Sequence, residues 1–374
     1  MSKVARELKN YFAVVADLAS GAEEWSSRPA WLEFAPNNVC NLRCIMCAQA
    51  DGIPLEVMKK EAAVKLLDEV LPHTTLWNPS ALSEPMLANI QLVVEKCREH
   101  EVYLNMYTNC TLLDGAKFAG MADRIHKLWI SFDSAEKPVL EKLRAPIEFE
   151  QVVGNIREVL AVAVEKKIPV GFVAVLMKDN LPGLHGLVDF LADLGAVAAR
   201  CDLRVQPMID NAVRCADQNV FAAFTPEQIV AYVDQACDRA RERGLIFHVD
   251  MDDPWRRHVV PQEPAVRGIT GDLLSVMLDE IRERFPHFCS MSTSYVKIEP
   301  NGDVYPCCRG PRELVMGNVN EQPLAQIWNS EKYRAFRRRM NARDYHEVCR
   351  GCDVLIANPR FDKRSLQRPA PGGA

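Results

Sequence analysis

The stretch Asn38-Val39-Cys40-Asn41-Leu42-Arg43-Cys44-Ile45-Met46-Cys47 sets three cysteines within eight residues, in the spacing C-x3-C-x2-C. A short apolar run, Trp31-Leu32-Glu33-Phe34-Ala35, precedes it and reads as a strand. Three thiolates on one tight loop can hold three corners of an iron–sulfur cube. A structural tetrahedral metal takes all four ligands from the protein. With no fourth ligand nearby, one iron is left open for chemistry. Half of a zinc site, or three cysteines buried together, are the competing readings of the triplet alone.

Beyond this loop, short β-rich runs alternate with helical patterns. The strand candidates are Trp31–Ala35, Thr75–Asn78, Val102–Tyr107, Lys127–Asp133, Pro169–Leu176 and Leu203–Gln206. Helical patterns lie near Lys59–Leu71, Leu87–His100, Gly115–Met121, Lys137–Leu143, Phe149–Lys166 and Leu184–Leu194. Such alternation predicts a parallel sheet with crossover helices, curled by right-handed connections into a partial barrel. Sites on βα barrels sit at the C-terminal ends of the strands, so a loop directly after the first strand lies at the mouth. Val4–Ala19 reads as an amphipathic helix with Val4, Leu8, Phe12 and Val15 on the packed face, and Gly21–Pro29 as a linker. Pro226–Arg243 predicts a further helix, Leu245–Val249 a further strand, and Met251–Gly271 an irregular stretch containing Trp255-Arg256-Arg257-His258.

A length of 374 residues suggests about two domains, and 48% hydrophobic with 25% charged residues is ordinary for a chain that buries a large core. The formal net charge of −5 argues against nucleic acid as partner. The basic stretch Arg334 to Arg350 reads as a solvated helix face. No signal peptide opens the chain, and no apolar run approaches the roughly 18 residues that span a bilayer. Thirteen cysteines in such a chain fit metal or redox chemistry in the cytoplasm better than a paired disulfide framework.

The C-terminal part changes character. Tyr295–Glu299 and Val304-Tyr305 flank Pro300-Asn301-Gly302-Asp303, the pattern of a β-hairpin. Cys289, Cys307, Cys308, Cys349 and Cys352 surround it. Taking one of the adjacent pair gives C-x17-C-x41-C-x2-C, four thiolates for one closed cluster. The reading divides the chain into an N-terminal helix and linker (1–29), a βα barrel (30–250), a connecting segment (251–284), an α+β cysteine domain (285–358) and a tail (359–374).

These motifs together resemble the radical S-adenosylmethionine (radical SAM) superfamily, in its subgroup with a C-terminal SPASM or Twitch extension. The cysteine spacing is similar to that of its aminocyclitol-oxidising members, the 2-deoxy-scyllo-inosamine dehydrogenases. The resemblance implies an α/β fold, a partial (βα)6 TIM-like barrel with a small α+β SPASM/Twitch domain. It implies that Cys40, Cys44 and Cys47 hold a 4Fe–4S cluster whose open iron is chelated by S-adenosylmethionine. Ser83-Glu84-Pro85 stands where the family has Gly-Gly-Glu-Pro, which gives Glu84 the methionyl ammonium. The resemblance gives Arg144 the methionyl carboxylate and Ser131, in preference to Asp133, the ribose. It places Leu176 and Asn180 in the adenine region and Met46 beside the adenine. Thr108-Asn109-Cys110 matches Thr-Asn-Gly, with Cys110 as a departure. A second, auxiliary 4Fe–4S cluster is implied on Cys289, Cys307, Cys349 and Cys352, with Cys308 the alternative to Cys307.

The implied reaction is reductive cleavage of S-adenosylmethionine to a 5′-deoxyadenosyl radical, which abstracts hydrogen from a small substrate such as a sugar, aminocyclitol or nucleoside. The electron comes from a donor such as flavodoxin or ferredoxin. An auxiliary cluster that accepts an electron makes the outcome an oxidation. An epimerisation instead needs a hydrogen donor, for which Cys110, Cys201 and Cys308 are the candidates. A peptide maturase, and a non-catalytic metal scaffold, are the remaining alternatives. The short segment before Cys40 favours a small substrate over a peptide.

Overall fold

The computed structural model describes residues 3–80, 82–208, 213–251, 256–259, 269–308, 314–350, 352 and 355. Eleven strands form one sheet: β1 (Trp31–Phe34), β2 (Leu76–Asn78), β3 (Tyr103–Thr108), β4 (Ile125–Ser131), β5 (Val170–Leu176), β6 (Asp202–Pro207), β7 (Ile246–Val249), β8 (Arg257–Val259), β9 (Tyr295–Ile298), β10 (Asp303–Tyr305) and β11 (Gly317–Asn318). Their spatial order is β11-β10-β9-β1-β2-β3-β4-β5-β6-β7-β8. From β1 to β7 every neighbouring pair is parallel, the arrangement of a partial TIM-like barrel.

The helices are α1 (Lys3–Ser20), α2 (Lys60–Val70), α3 (Ile90–His100), α4 (Gly115–Met121), α5 (Lys137–Leu143), α6 (Phe149–Lys166), α7 (Leu184–Leu194), α8 (Val220–Ala223), α9 (Pro226–Arg243), α10 (Ile269–Arg284), α11 (Ser290–Ser294), α12 (Leu324–Ile327), α13 (Glu331–Asn341) and α14 (Glu347–Arg350). Helix α9 shows why its ends fall where they do. Thr225 and Gln228 form a reciprocal capping box, Pro226 occupies the first turn, and Gly244 ends the helix at a positive φ of 71°.

The strands alternate in their environment. Leu32, Phe34, Leu104, Leu128, Ile130, Phe172, Leu203, Val205, Phe247 and Val249 are fully buried in the main core. Their neighbours of opposite parity point to the other face, because successive side chains on a strand alternate. Those neighbours are polar or aromatic: Glu33, Asn78, Asn105, Tyr107, Lys127, Trp129, Arg204, Gln206 and His248. They line a chamber inside the curl of the sheet. Tyr107 is 37% exposed, yet desolvation by the surrounding walls pushes its phenol up to about 12.

Side by side on β3 and β4, Tyr107 and Trp129 give the chamber an aromatic floor. Trp129 stacks on Tyr107 with ring centroids 5.9 Å apart and an interplanar angle of 11°. Its indole N–H donates to Asn105 Oδ1 at 3.2 Å, and Lys127 Nζ lies 3.9 Å from its ring centroid. Gly171 on β5 makes room for it. A Cβ at position 171 would stand 2.5 Å from Trp129 Cζ3 and 2.8 Å from Asp202 Oδ1. Gly171→Ala is therefore expected to destabilise the protein by about 1–3 kcal/mol in urea unfolding, the range for overpacking, with a change in tryptophan fluorescence from the displaced floor.

Several expectations change. Helix α1 turns a different face inward: Tyr11, Val14 and Leu18 are buried, whereas Val4, Leu8 and Phe12 are 41%, 37% and 63% exposed. The helix carries two apolar stripes, and the linker decides between them. The carboxylate of Asp17 accepts from the backbone N–H groups of Ser26 at 3.2 Å and Ser27 at 3.0 Å, which fixes the rotation. The stretch around Arg257-His258 is not irregular but forms β8, antiparallel to β7; residues 252–255 lie outside the described residues. The C-terminal hairpin does not stand apart from the barrel. Strand β9 pairs in parallel with β1 over four residues, Trp31 opposite Tyr295 through Phe34 opposite Ile298, and so continues the barrel sheet.

The linker at residues 21–29 is also tied down. Arg337 of α13, only 1% exposed, lies 4.2 Å from the ring centroid of Trp25, 4.9 Å from Trp328 and 5.2 Å from Tyr333. It donates to Glu23 O and Asn329 Oδ1 at 2.9 Å and to Trp328 O at 2.7 Å. Burial pulls its guanidinium down to about 10, so the aromatic faces and carbonyl dipoles do the work an acid would do elsewhere. Arg337→Leu is expected to cost about 2–3 kcal/mol, from lost charged hydrogen bonds and stranded carbonyls, read as a lower urea midpoint with unchanged slope.

Candidate active site and auxiliary cluster pocket

The cysteine loop leaves β1 at the C-terminal, mouth end of the barrel. It is pinned from two sides. Arg43 N donates to Ala145 O at 2.7 Å and Ile45 N to Leu143 O at 3.0 Å, which joins it to the end of α5. Asn109 Nδ2 donates to Asn41 Oδ1 at 3.0 Å and Asn41 Nδ2 to Thr111 Oγ1 at 2.8 Å, which joins it to the loop after β3. Donors also approach the sulfurs. Leu42 N is 3.4 Å from Cys40 Sγ, and Arg144 Nη1 is 3.8 Å from Cys44 Sγ. Burial pushes the Cys44 thiol up to about 11. A bare thiolate is disfavoured there, and a bound iron would supply the compensating charge.

A single zinc with Zn–S bonds of about 2.3 Å draws its sulfurs to about 3.8 Å from one another. Among the described residues, the one set of three or more His, Cys or carboxylate donors gathered within 4.8 Å is Asp68, Glu99 and His100. That set is on the surface, where Lys96 already pairs with both acids at 2.5 and 2.7 Å. Among the described residues neither cysteine set is gathered that closely.

Glu84 is 2% exposed. Its backbone N–H donates to Val39 O at 2.9 Å, and its carboxylate accepts from Thr108 Oγ1 at 2.7 Å, Asn109 N at 2.9 Å and Met86 N at 3.3 Å. Among the described residues no cationic side chain pairs with it. Burial raises its pKa against the opposing pull of these donors. A buried carboxylate with dipoles but no cation fits an incoming ammonium.

Arg144 is arranged differently from the expectation. Its fork is not left open for a carboxylate of a ligand. Nε and Nη2 donate to Asp133 Oδ2 and Oδ1 at 2.5 and 3.2 Å, with the Asp133 side chain wholly buried. Burial works against the guanidinium charge, yet Asp133 and Cys44 hold its pKa above the ordinary value. Asp133 also accepts from Val175 N at 2.8 Å through Oδ1, and its backbone carbonyl accepts from Asn180 Nδ2 at 3.0 Å. Asp133 is thus the junction of β4, β5, the loop after β5 and the cysteine loop. The sequence phrase Ser131-Phe132-Asp133 points to Ser131 instead. Ser131 lies half-buried at the end of β4, in register with Val173.

Asn180 is committed to its own loop: Nδ2 also donates to Val175 O at 2.9 Å, and Oδ1 accepts from Met177 N at 2.8 Å. Leu176 is buried at 1% exposure. Met46, half-buried, packs on the core beside Cys44. Cys110 is fully buried with φ +62°, the left-handed conformation that glycine favours. The backbone of a Thr-Asn-Gly turn is therefore kept although the residue differs. Its thiol is directed at Leu113 O, 3.5 Å away, not into the chamber. Cys201 is also displaced from its expected place. It immediately precedes β6, at the N-terminal end of the barrel and far from the mouth, because the strand begins at Asp202. Cys110 thus spends its thiol on a backbone carbonyl, and Cys201 lies at the end of β6 away from the mouth.

The second cysteine set converges. Cys289, Cys307, Cys308, Cys349 and Cys352 line one pocket together with Met291, Phe336, Val348 and Leu355. Cys289 immediately precedes α11, and Ser292 Oγ donates to its carbonyl at 2.9 Å. Cys349 and Cys352 are bound through the turn Cys352 N to Cys349 O at 3.3 Å. Cys307 is half-buried and Cys308 exposed, which favours Cys307 as the inward ligand. Tyr295, next along from α11, donates its hydroxyl to Glu33 Oε2 at 2.5 Å inside the chamber. Burial first, then the charges of Glu33 and of Cys308 and Cys307, raise its pKa well above the ordinary phenol. Glu33 and Tyr295 escape a reading of the sequence because each lies in an apolar run whose inward parity appears only once the strands are paired.

Residues 289–353 match the SPASM iron-sulfur cluster-binding domain. The chain is 24% identical over 328 residues to an AdoMet-dependent heme synthase of Methanosarcina barkeri, covering 84% of this chain and 88% of that protein. A stretch of 68 residues, 17% of this chain and 27% of the relative, is 28% identical to the S-adenosyl-L-methionine-dependent 2-deoxy-scyllo-inosamine dehydrogenase of Niallia circulans. The fold is similar to that of Streptococcus suis SuiB bound to S-adenosylmethionine, with a TM-score of 0.61 and 17% identity over 93% of this chain and 76% of that one. Among the described residues no helix is long and apolar enough to cross a membrane. A cysteine loop at the mouth of a partial TIM-like barrel, the matched C-terminal cluster domain and these relatives together support the SPASM subgroup of the radical S-adenosylmethionine enzymes as the family that this chain resembles.

Proposed function

We propose that this enzyme oxidises a small hydroxylated, carbohydrate-like substrate held in the barrel chamber. In this reading Cys40, Cys44 and Cys47 hold the first 4Fe–4S cluster, and Cys289, Cys307, Cys349 and Cys352 hold one auxiliary cluster that accepts the substrate's electron. The observation that carries it is the Glu33–Tyr295 hydrogen bond at 2.5 Å, which joins the chamber to the strand that emerges from the auxiliary pocket. When bound, the first cluster and S-adenosylmethionine supply the hydrogen-abstracting radical.

The chain's own residues do the rest. Glu84 receives the methionyl ammonium, while Arg144 and Asp133 hold the cysteine loop in place. Met46, Ser131, Leu176 and Asn180 shape the adenosyl side of the site. Glu33, Asn78, Asn105 and Gln206 offer hydrogen bonds to hydroxyl groups. Oxidation of an alcohol to a ketone releases one hydrogen atom from carbon, one electron and one hydroxyl proton. Glu33 is placed to take that proton, since burial raises its pKa above that of an ordinary carboxyl. The reductant is an external one-electron donor such as flavodoxin or ferredoxin.

Mass spectrometry of products from candidate sugars and aminocyclitols, run in deuterated water, tests the proposal. A net loss of two hydrogens is expected. No loss of hydrogen, with one carbon-bound deuterium from solvent and a mass gain of about one unit, would instead show epimerisation. The burial of Cys110 and the position of Cys201 speak against that outcome.

A further inference from the structure

Three side chains on the chamber wall take no part in the steps above. Arg204 of β6, His248 of β7 and His258 of β8 form one row. Arg204 is in direct register with His248, and His248 with His258. Cross-strand partners in register share a face. The flanking Leu203, Val205, Phe247 and Val249 are buried under the helices, so this row faces the chamber. Arg257, of opposite parity, turns outward and donates to Asp234 of α9 at 2.9 Å.

The charges of the row are not balanced. Arg204 Nε is 3.4 Å from Asp202 Oδ2, but Asp202 is already held by Lys127 Nζ at 2.5 Å. One carboxylate thus faces two permanent cations. The Arg204 guanidinium lies 4.9 Å from the Trp129 ring centroid, across Gly171, which holds it over the chamber floor. His248 Nδ1 and His258 Nδ1 are 3.0 Å apart. A contact between two ring nitrogens holds one proton, so the pair binds at most one extra proton without a clash. In the neutral pair one Nε2 carries hydrogen. In the protonated pair both do, and two N–H donors then point away from the contact.

We propose that Arg204, His248 and His258 form a subsite for an acidic group of the substrate, a carboxylate or a phosphate. The proposal rests on the reading of the chamber as the substrate site, and narrows the substrate to a sugar-like molecule bearing an acid. Arg204 supplies a planar fork for two oxygens. The histidine pair supplies one or two further donors. Burial lowers the pKa of His248, followed by Arg204; Asp202 opposes them, His258 lowers it further and Asp250 opposes last. An anion in the subsite adds the missing negative charge, so the pair takes up a proton as the ligand binds.

Anaerobic calorimetry on the reconstituted holoenzyme near pH 7.5 tests this, with malonate and inorganic phosphate as probes and two buffers of different ionisation enthalpy. Saturable binding of either probe with net proton uptake is expected; malonate alone identifies a carboxylate site, phosphate alone a phosphate site. Arg204→Gln should weaken binding at least about tenfold, the scale of a lost charged hydrogen bond, and Arg204→Lys less. His248→Gln should abolish the proton uptake. Arg257→Gln, on the outer face, serves as the charge-loss control. Absence of binding by both probes, equal weakening by Arg257→Gln, or proton uptake that survives His248→Gln would each overturn the subsite. Release of 5′-deoxyadenosine from the same preparation is scored separately. Cleavage without anion binding sinks only the subsite, whereas anion binding without cleavage sinks only the radical reading.

Discussion

Replacement of Asp133 by alanine is expected to lower stability by about 3–5 kcal/mol, because it strands a buried guanidinium. Arg144 has two of its donors on this carboxylate, and the Asp133 side chain is wholly buried. The same change leaves the N–H of Val175 without its acceptor at 2.8 Å. The effect should extend beyond stability. Arg144 approaches Cys44 Sγ, and the residues that flank it accept from the backbone of Arg43 and Ile45. A loosened Arg144 therefore loosens the cysteine loop, and iron retained after reconstitution should fall along with the urea midpoint. Asp133→Asn keeps the shape and loses the charge, and should fall between the two. Lys142→Ala provides the contrast. Its pair with Asp179 at 2.5 Å is on the surface, with the lysine side chain 60% exposed, and its loss should change stability by less than about 1 kcal/mol.

The second large effect is on the cluster. Cys44→Ala should reduce the iron of the reconstituted chain from about eight to about four atoms, since two four-iron clusters become one. Release of 5′-deoxyadenosine should be lost with it. Cys352→Ala should lower the iron count by the same amount while the absorbance of the N-terminal cluster persists. If both variants kept their full iron, the two cysteine sets would not be separate cluster sites. The mutations are informative because the two sets are distinct in structure, one pinned to the end of α5 and the loop after β3, the other converging around one pocket.

Much of this was legible before any coordinates. Alternation of apolar strands with amphipathic helices specifies the barrel, because each parallel strand is followed by its crossover helix. The cysteine spacings mark the two sets that the fold keeps apart, one on the loop after β1 and one around a single pocket. Glu84 was legible as a residue but not in its environment, which depends on Thr108 and Asn109 arriving from β3. What stayed hidden depended on tertiary pairing. Asp133 and Ser131 are two residues apart, and only the position of Arg144 shows which one is the junction. Helix α1 has two apolar stripes, and only the Asp17 bonds to the linker choose between them. The chamber wall was hidden for a further reason. Arg204, His248 and Glu33 sit singly within apolar runs, and register across β6, β7 and β8, or between β1 and β9, is what gathers them.

The most direct test of the central claim is to reconstitute the chain anaerobically with iron and sulfide, reduce it with dithionite, and measure the fate of added S-adenosylmethionine. The proposed reading predicts about eight irons per chain, as expected for two four-iron clusters, with methionine and 5′-deoxyadenosine released in equal amounts. Intact S-adenosylmethionine in the presence of full iron loading, or cysteines occupied by tightly bound zinc, would contradict it.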